Sequence, residues 1–484
     1  MSVERLDLAP GLSISRVLTG LWQIADMERE GAPLDLAHTA AAMQPYVDAG
    51  LTSFDMADHY GSAEDVAGLY RQSAGGQRVQ LFTKWVPKPG PVSREDVRTA
   101  ITTSLRRLRS ERLDLLQFHA WTYADPSWLD ALFYLHELRD EGLIAHLGFT
   151  NTDTPHLNMA LASGIPIVSN QVAFSLLDSR AAGAMSALCL KSGVRLLAYG
   201  TVAGGWLTER WLGQEEPDWE RDGTWSRMKY GRFIRAAGGW ARYQDVLAAA
   251  ARVAHRHRVS VANVASRWVL DHPAVAGVII GARLGERQHI ADTVQLFGFS
   301  LTDEDRGELA EAIGHLVAIP GDCGDEYRTP PFLTASGDLS HHVETFPPPY
   351  SVRATATRAQ CFTGTPWEPL AGFARAIRTG DRILVSGTTS THGHRHIGGT
   401  DVAAQTHFVI DKIEGSLRSL GGRLEDVVRT RVYVRHESDW EAVARAHGAR
   451  FGHVQPANTL VVAALIGDEN LVEIEAEAEV VPLS

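Results

Sequence analysis

The chain is expected to fold as a (β/α)8 barrel of the TIM type followed by a smaller α+β domain, and three observations lead there. Eight short apolar runs recur along its first two-thirds, separated by helical patterns. That alternation, repeated eight times, indicates a closed parallel barrel. No G-x-G-x-x-G follows the first run, so an open doubly wound sheet is not indicated. Between residues 319 and 350 proline and glycine interrupt the pattern, and a different alternation resumes near residue 361. The expected division is residues 1–345 for the barrel and its C-terminal tail, 346–360 for a proline-rich linker, and 361–484 for the second domain.

The eight strands are expected at residues 13–18, 51–54, 79–83 and 113–118, then 145–149, 165–169, 194–198 and 277–280. Ser93 opens the helix before the fourth, with Val97, Ile101, Leu105 and Leu108 along one face. Asp125-Pro126 opens another, with Pro126 in its first turn. Residues 204–240 are long for a connection and hold five tryptophans, which points to a lid forming an aromatic pocket. In the second domain strands are expected at 382–386, 427–434, 459–465 and 471–480, with helices at 401–420 and 439–451.

Composition narrows the function classes. The formal net charge is -12, with Lys+Arg 46 against Asp+Glu 58, which argues against a nucleic-acid partner. Cys189, Cys323 and Cys361 lie far apart without metal-ligand spacing, so no metal site is expected. The His341-His342 pair and the His392, His394, His396 triplet read as solvated histidines. No signal peptide or membrane-length apolar run is read, so a cytoplasmic protein without a membrane partner is expected.

The chemistry gathers at strand ends. Asp55 and Tyr60 follow the second strand in FDMADHYG, Lys84 ends the third and His119 the fourth. A phenol has a reference pKa of about 10. An adjacent ammonium favours its anion, and a carboxylate keeps that ammonium charged and in place. Tyr60 is therefore read as general acid, Lys84 as its tuner, Asp55 as the anchor of Lys84, and His119 as the group orienting a carbonyl oxygen. Trp22, Trp85, Trp121 and Trp206 are expected to wall the substrate pocket. The loop from Gly281 to Asp292 joins the last strand to a helix, a geometry suited to phosphate.

Through FDMADHYG, LFTKW and LDLLQFH the chain resembles the aldo/keto reductase family over roughly residues 6–337. The resemblance implies a barrel that reduces a small-molecule aldehyde or ketone by hydride transfer from NADPH, with NADH as the alternative. Gly20, Leu21 and Trp22 would run under the nicotinamide. Asp55, Thr150, Asn151 and Gln171 would hold it, with Tyr199 stacking on its ring and Gly200 following. Gly281, Arg283, Arg287, Gln288 and Asp292 would take the adenosine end.

Through AIRTGDRILVSG, GGRLEDVVRTRVYV and LVEIEAEA, residues 361–484 resemble the Rid (YjgF-type) family, an α+β fold of the chorismate-mutase-like kind. Its active members deaminate imino acids in clefts between three subunits, so a homotrimer is expected. That family's P-A-R-T reads Pro456-Ala457-Asn458-Thr459 here. Asn458 cannot pair bidentately with a carboxylate. The domain is therefore expected to trimerise the chain or bind a neutral imine or enamine, Glu473 being the other matched site residue. A substrate derived from an imine would connect the two halves. Two alternatives remain: a nucleotide-sensing scaffold with little turnover, and a bifunctional reductase and imine deaminase.

Overall fold

The computed structural model describes residues 2–26, 33–286, 288–334 and 346–480. The expected Arg287 contact and the His341-His342 pair lie outside the described residues. Eight parallel strands close a barrel: β3 (Val17–Gly20), β4 (Ser53–Asp55), β5 (Gln80–Trp85), β6 (Leu115–Phe118), β7 (Leu147–Thr150), β8 (Ile167–Ala173), β9 (Arg195–Tyr199) and β10 (Val275–Gly281). β10 closes the ring by pairing with both β9 and β3. The strands are short and apolar because both of their faces are covered. Residues 5–9 and 12–15 form a separate hairpin, β1 and β2.

The run at residues 13–18 thus spans two strands rather than one. Arg16 makes the break: its backbone N–H donates to Glu4 O, and its guanidinium reaches the carbonyls of Leu270, Val275 and Ala276. The helix Arg94–Arg107 starts as its sequence dictates, with Ser93 and Asp96 forming a reciprocal capping box.

The second domain is a seven-stranded sheet in the order β11-β12-β13-β14-β19-β17-β18. These strands are β11 (Ser351–Ala354), β12 (Ala359–Phe362), β13 (Ala376–Thr379), β14 (Arg382–Thr388), β17 (Val427–Val434), β18 (Ala457–Val462) and β19 (Val472–Glu479). The small hairpin of β15 (Thr391–His392) and β16 (Arg395–His396) stands apart. Strand β11 lies inside the expected linker. Ser351–Ala354 pairs residue for residue with β12, so the spacer is shorter than its proline content suggests.

The helix Val402–Ser419 joins the domains. It packs against the barrel helix Thr154–Ala162, and Ile397, Ala404 and Phe408 enter the same apolar cluster as the barrel core. A Cβ at Gly415 would stand 2.3 Å from Ala124 O, so only glycine permits that approach. His156 is buried at the boundary, with Nδ1 2.6 Å from Asp153 Oδ1 and Nε2 2.9 Å from Asp411 Oδ2. Arg450 binds Asp411 and Glu414 from behind.

Candidate active site

The strand ends place a cavity of about 210 Å³ at the C-terminal mouth of the barrel. Asp55, Tyr60, Lys84, His119 and Trp121 line it, as do Gly20, Trp22, Thr150, Asn151, Gln171, Tyr199, Gly200 and Gly281. Alternation along each strand explains the set, because residues two apart face the same side. Lys84 turns inward, so its neighbour Trp85 turns outward and packs on Phe118. Trp85 is accordingly corrected from a pocket residue to a core residue.

Lys84 Nζ donates to Asp55 Oδ2 at 2.6 Å and to Met56 O at 2.9 Å. Asp55 Oδ1 accepts from Gln117 Nε2 at 2.9 Å and Gln171 Nε2 at 2.8 Å. Lys84 Nζ stands 5.2 Å from the centre of the Tyr60 ring. Burial, and after it the Asp55 carboxylate, pushes the Tyr60 phenol well above its ordinary value. This runs against the expected lowering: desolvation comes first, and the Asp55 charge adds to it. Burial also lowers the Lys84 ammonium, against the pull of Asp55. His119 Nδ1 lies 3.2 Å from Thr150 O, and its ring meets Trp121 edge-on at 4.5 Å.

The remaining expected residues fall elsewhere. Leu21 is buried, its N–H donating to Asp55 O. Trp206 is fully buried, its Nε1 donating to Arg227 O, and it packs on Trp211, Trp240 and Tyr243 rather than lining the cavity. The long connection is therefore divided. Trp206, Trp211, Trp219 and Trp240 pack into an apolar cluster shared with Val246, Leu247 and Val264 of the barrel helices, while helix Trp225–Ala236 brings Trp225, Lys229 and Tyr230 to the cavity. Arg283 is exposed, 3.7 Å from Glu286, and Gln288 is exposed. Asp292 lines a second cavity of about 280 Å³, which shares Val202 and Gly281 with the first.

Several contributors were missed. Gln117 stands two residues before His119 on one strand, and that spacing was a usable signal. Tyr327, in the tail after the barrel, packs edge-on against His119 at 5.4 Å. Glu326, beside it, is fully buried and accepts from Arg180.

In the second domain Asn458 and Glu473 lie on β18 and β19, with β17 between them, so one chain does not join them. Asn458 Nδ2 donates to Thr430 Oγ1 at 2.9 Å. Burial raises the Glu473 carboxyl, opposed by Arg375. His392 bonds Asp130 of the barrel, and His396 bonds Ser390.

Two family models match the chain. The family model described as the aldo/keto reductase family matches residues 16–313, and that described as endoribonuclease L-PSP matches residues 364–480. An uncharacterised Streptomyces coelicolor protein, SCO2049, is 41% identical over 117 residues, covering 24% of this chain and 87% of its own. Protein tas of Escherichia coli is 28% identical over 250 residues, covering 47% of this chain and 69% of its own. The solved glycerol dehydrogenase AKR11B4 of Gluconobacter oxydans shares the barrel fold, with TM-score 0.53 and 21% identity over 66% of this chain and 97% of that one.

Proposed function

Because the chain belongs to the aldo/keto reductase family, we propose that it reduces an aldehyde or ketone with NADPH, using Tyr60 as proton donor. The observation carrying this reading is the convergence of Asp55, Tyr60, Lys84 and His119 on one cavity, with Lys84 bonded to Asp55.

Two features suit a nicotinamide nucleotide. The buried amides of Asn151 and Gln171 line the cavity beside the aromatic ring of Tyr199. The cavity then passes Gly281, where a Cβ would strike Gln23 Oε1 at 2.2 Å, toward the second cavity. When bound, the cofactor supplies the hydride. Tyr60 carries its proton, since burial keeps the phenol neutral, and donates it to the carbonyl oxygen that His119 orients. An alkoxide is a stronger base than a phenolate, so that transfer runs downhill. Lys84 then stabilises the phenolate, and Asp55 holds Lys84 in place. Trp22 and Trp121 exclude water.

A cluster of guanidinium groups favours NADPH over NADH. Arg210 and Arg227 both lie over the Trp211 ring, at 5.0 and 5.8 Å from its centre, and burial followed by the charges of Arg210 and Arg283 lowers the Arg227 pKa. Such a cluster suits a 2′-phosphate. Replacing Arg283 with alanine is expected to weaken NADPH binding more than NADH binding.

The deciding experiment follows nicotinamide absorbance with NADPH and NADH against aldehydes, ketones and cyclic imines. Tyr60→Phe is expected to lower turnover about 10²- to 10⁴-fold. Tight nucleotide binding without turnover would favour the scaffold reading instead.

For the second domain the proposal is assembly into a trimer, or capture of a neutral imine. Asn458 in place of the clamping arginine supports it. Glu473, Glu475 and Glu477 on one sheet face disfavour a polyanionic substrate such as RNA. Light scattering on the full chain tests the trimer. Asn458→Arg tests the site, and efficient imino-acid hydrolysis by the wild type would reject this reading in favour of the bifunctional one.

A further inference from the structure

The helix Trp225–Ala236 carries a cation that the proposed chemistry does not use. Lys229 lines the cavity, its Nζ 2.8 Å from the Tyr327 hydroxyl and 3.5 Å from that of Tyr199. It also lies over the rings of Tyr199, Tyr327 and Tyr230, at 4.7, 4.9 and 5.6 Å from their centres. Among the described residues no ion pair joins it to a carboxylate within 4.0 Å. Nearby Glu326 is engaged by Arg180 at 2.9 Å, by Gly324 N at 2.9 Å and by the Tyr199 hydroxyl at 3.3 Å. Lys84, in the same cavity, has Asp55 at 2.6 Å. One cavity therefore holds one ammonium with a bonded counter-ion and one without.

Aromatic rings and phenols stabilise an ammonium without cancelling its charge. Burial works against that charge, yet Tyr327, Tyr230 and Glu326 hold Lys229 above its ordinary pKa. A half-buried, cavity-lining cation of this kind gains from an anionic ligand, which supplies a charge-assisted hydrogen bond.

Resting on the reductase reading, we propose that Lys229 receives a carboxylate or phosphate on the carbonyl substrate, so that this enzyme acts on oxo acids or phosphorylated carbonyl compounds. The nucleotide's own phosphates share that chemistry, but two observations favour the substrate. Tyr327, bonded to Lys229, packs edge-on against His119 at 5.4 Å and Trp121 at 6.3 Å, which puts the lysine on the wall that orients the carbonyl. Arg210 and Arg227 lie apart from it, both over the Trp211 ring at 5.0 and 5.8 Å, and they are the cations proposed above for the nucleotide phosphate.

The test compares succinic semialdehyde with its neutral amide, and glycolaldehyde phosphate with glycolaldehyde, on the full chain. Wild type is expected to prefer the anion of at least one pair. Lys229→Met should lower that ratio of kcat/KM values about tenfold to a hundredfold, and Lys229→Arg should keep most of it. Each ratio is internal to one variant, so a general loss of folded enzyme does not imitate the effect. An unchanged ratio in Lys229→Met overturns the proposal. So does an unchanged ratio accompanied by weaker NADPH binding, read by tryptophan fluorescence, which would assign Lys229 to the nucleotide. Succinate binding followed by calorimetry needs no turnover. If wild type reduces nothing but binds succinate, and Lys229→Met does not, the reductase reading fails and the anion receptor stands. If neither turnover nor binding is seen, both fail.

Discussion

Under the cavity Asp55 accepts from Lys84, Gln117 and Gln171, whereas between the domains Asp411 accepts from His156 and Arg450. Both carboxylates are almost fully buried. The first is surrounded by one ammonium and two amides, and amides do not titrate. The second is paired with an imidazole that also faces Asp153. A reaction site benefits from constant charge over the working pH range, which amides provide. A boundary between domains tolerates a titrating partner, because its task is adhesion. The same desolvation cost is thus met by different residue types according to what each place must do.

The largest effect is expected from breaking the first cluster. Lys84→Met should lower turnover about 10²- to 10⁴-fold, since in the proposed mechanism it removes the group that stabilises the Tyr60 anion. It should also cost about 3–5 kcal/mol of stability, because Asp55 keeps its burial and loses its cation. Steady-state kinetics and urea melts measure the two. Retained turnover would remove Lys84 from the proton-transfer machinery.

Next comes pH. His156 is raised to about 9 by Asp153 and Asp411 against the opposing effect of burial. Its folded value lies above its unfolded one, so its stabilisation is complete below the ordinary histidine range and is lost as pH rises through about 9. Asp153 is lowered to about 2 by His156 and Arg328, although burial opposes this. Its contribution is present above the usual carboxylate range and fades as pH falls through about 2. Thermal melts between pH 6 and 10 should show the alkaline loss (the window follows from the His156 value). His156→Gln should flatten that slope. An unchanged slope in the variant would assign the alkaline loss to other groups.

Asp411→Asn sharpens the contrast at the boundary. It should cost about 1–3 kcal/mol, as His156 keeps Asp153 and Arg450 keeps Glu414. Calorimetry should then resolve two transitions where the wild type shows one. The smallest effect is expected at Gln117→Leu, about 1–2 kcal/mol, because Gln171 still serves Asp55.

Much of the barrel was legible because its strands are short apolar runs, with a polar residue at or beside the end of the second, third and fourth. Asp55, Lys84 and His119 follow from that rule alone. Tryptophan was harder to read, because an indole suits either a cavity or a core. Strand alternation would have turned Trp85 outward once Lys84 was placed inside. Trp206 offered no such period, since it follows a glycine turn in a connection. Strand β11 escaped because prolines precede it and its four residues are exposed. Lys229 and Tyr327 reach the cavity from the long connection and the tail, and no local pattern announces a contact across about a hundred residues of chain (98 between Lys229 and Tyr327). His156 and Asp411 are 255 residues apart, each an ordinary helix position until the domains meet.

That separation has a consequence for synthesis. The barrel helix Thr154–Ala162 leaves the ribosome well before the helix Val402–Ser419 that covers it. At typical elongation rates of about 5–20 residues per second, the gap is on the order of tens of seconds. During it the face that will receive Ile397, Ala404 and Phe408 stands open to water, with His156 lacking one of its two carboxylates. The nascent barrel is therefore adhesive just when it looks nearly finished, and the later-made helix Val402–Ser419 is what ends that exposure.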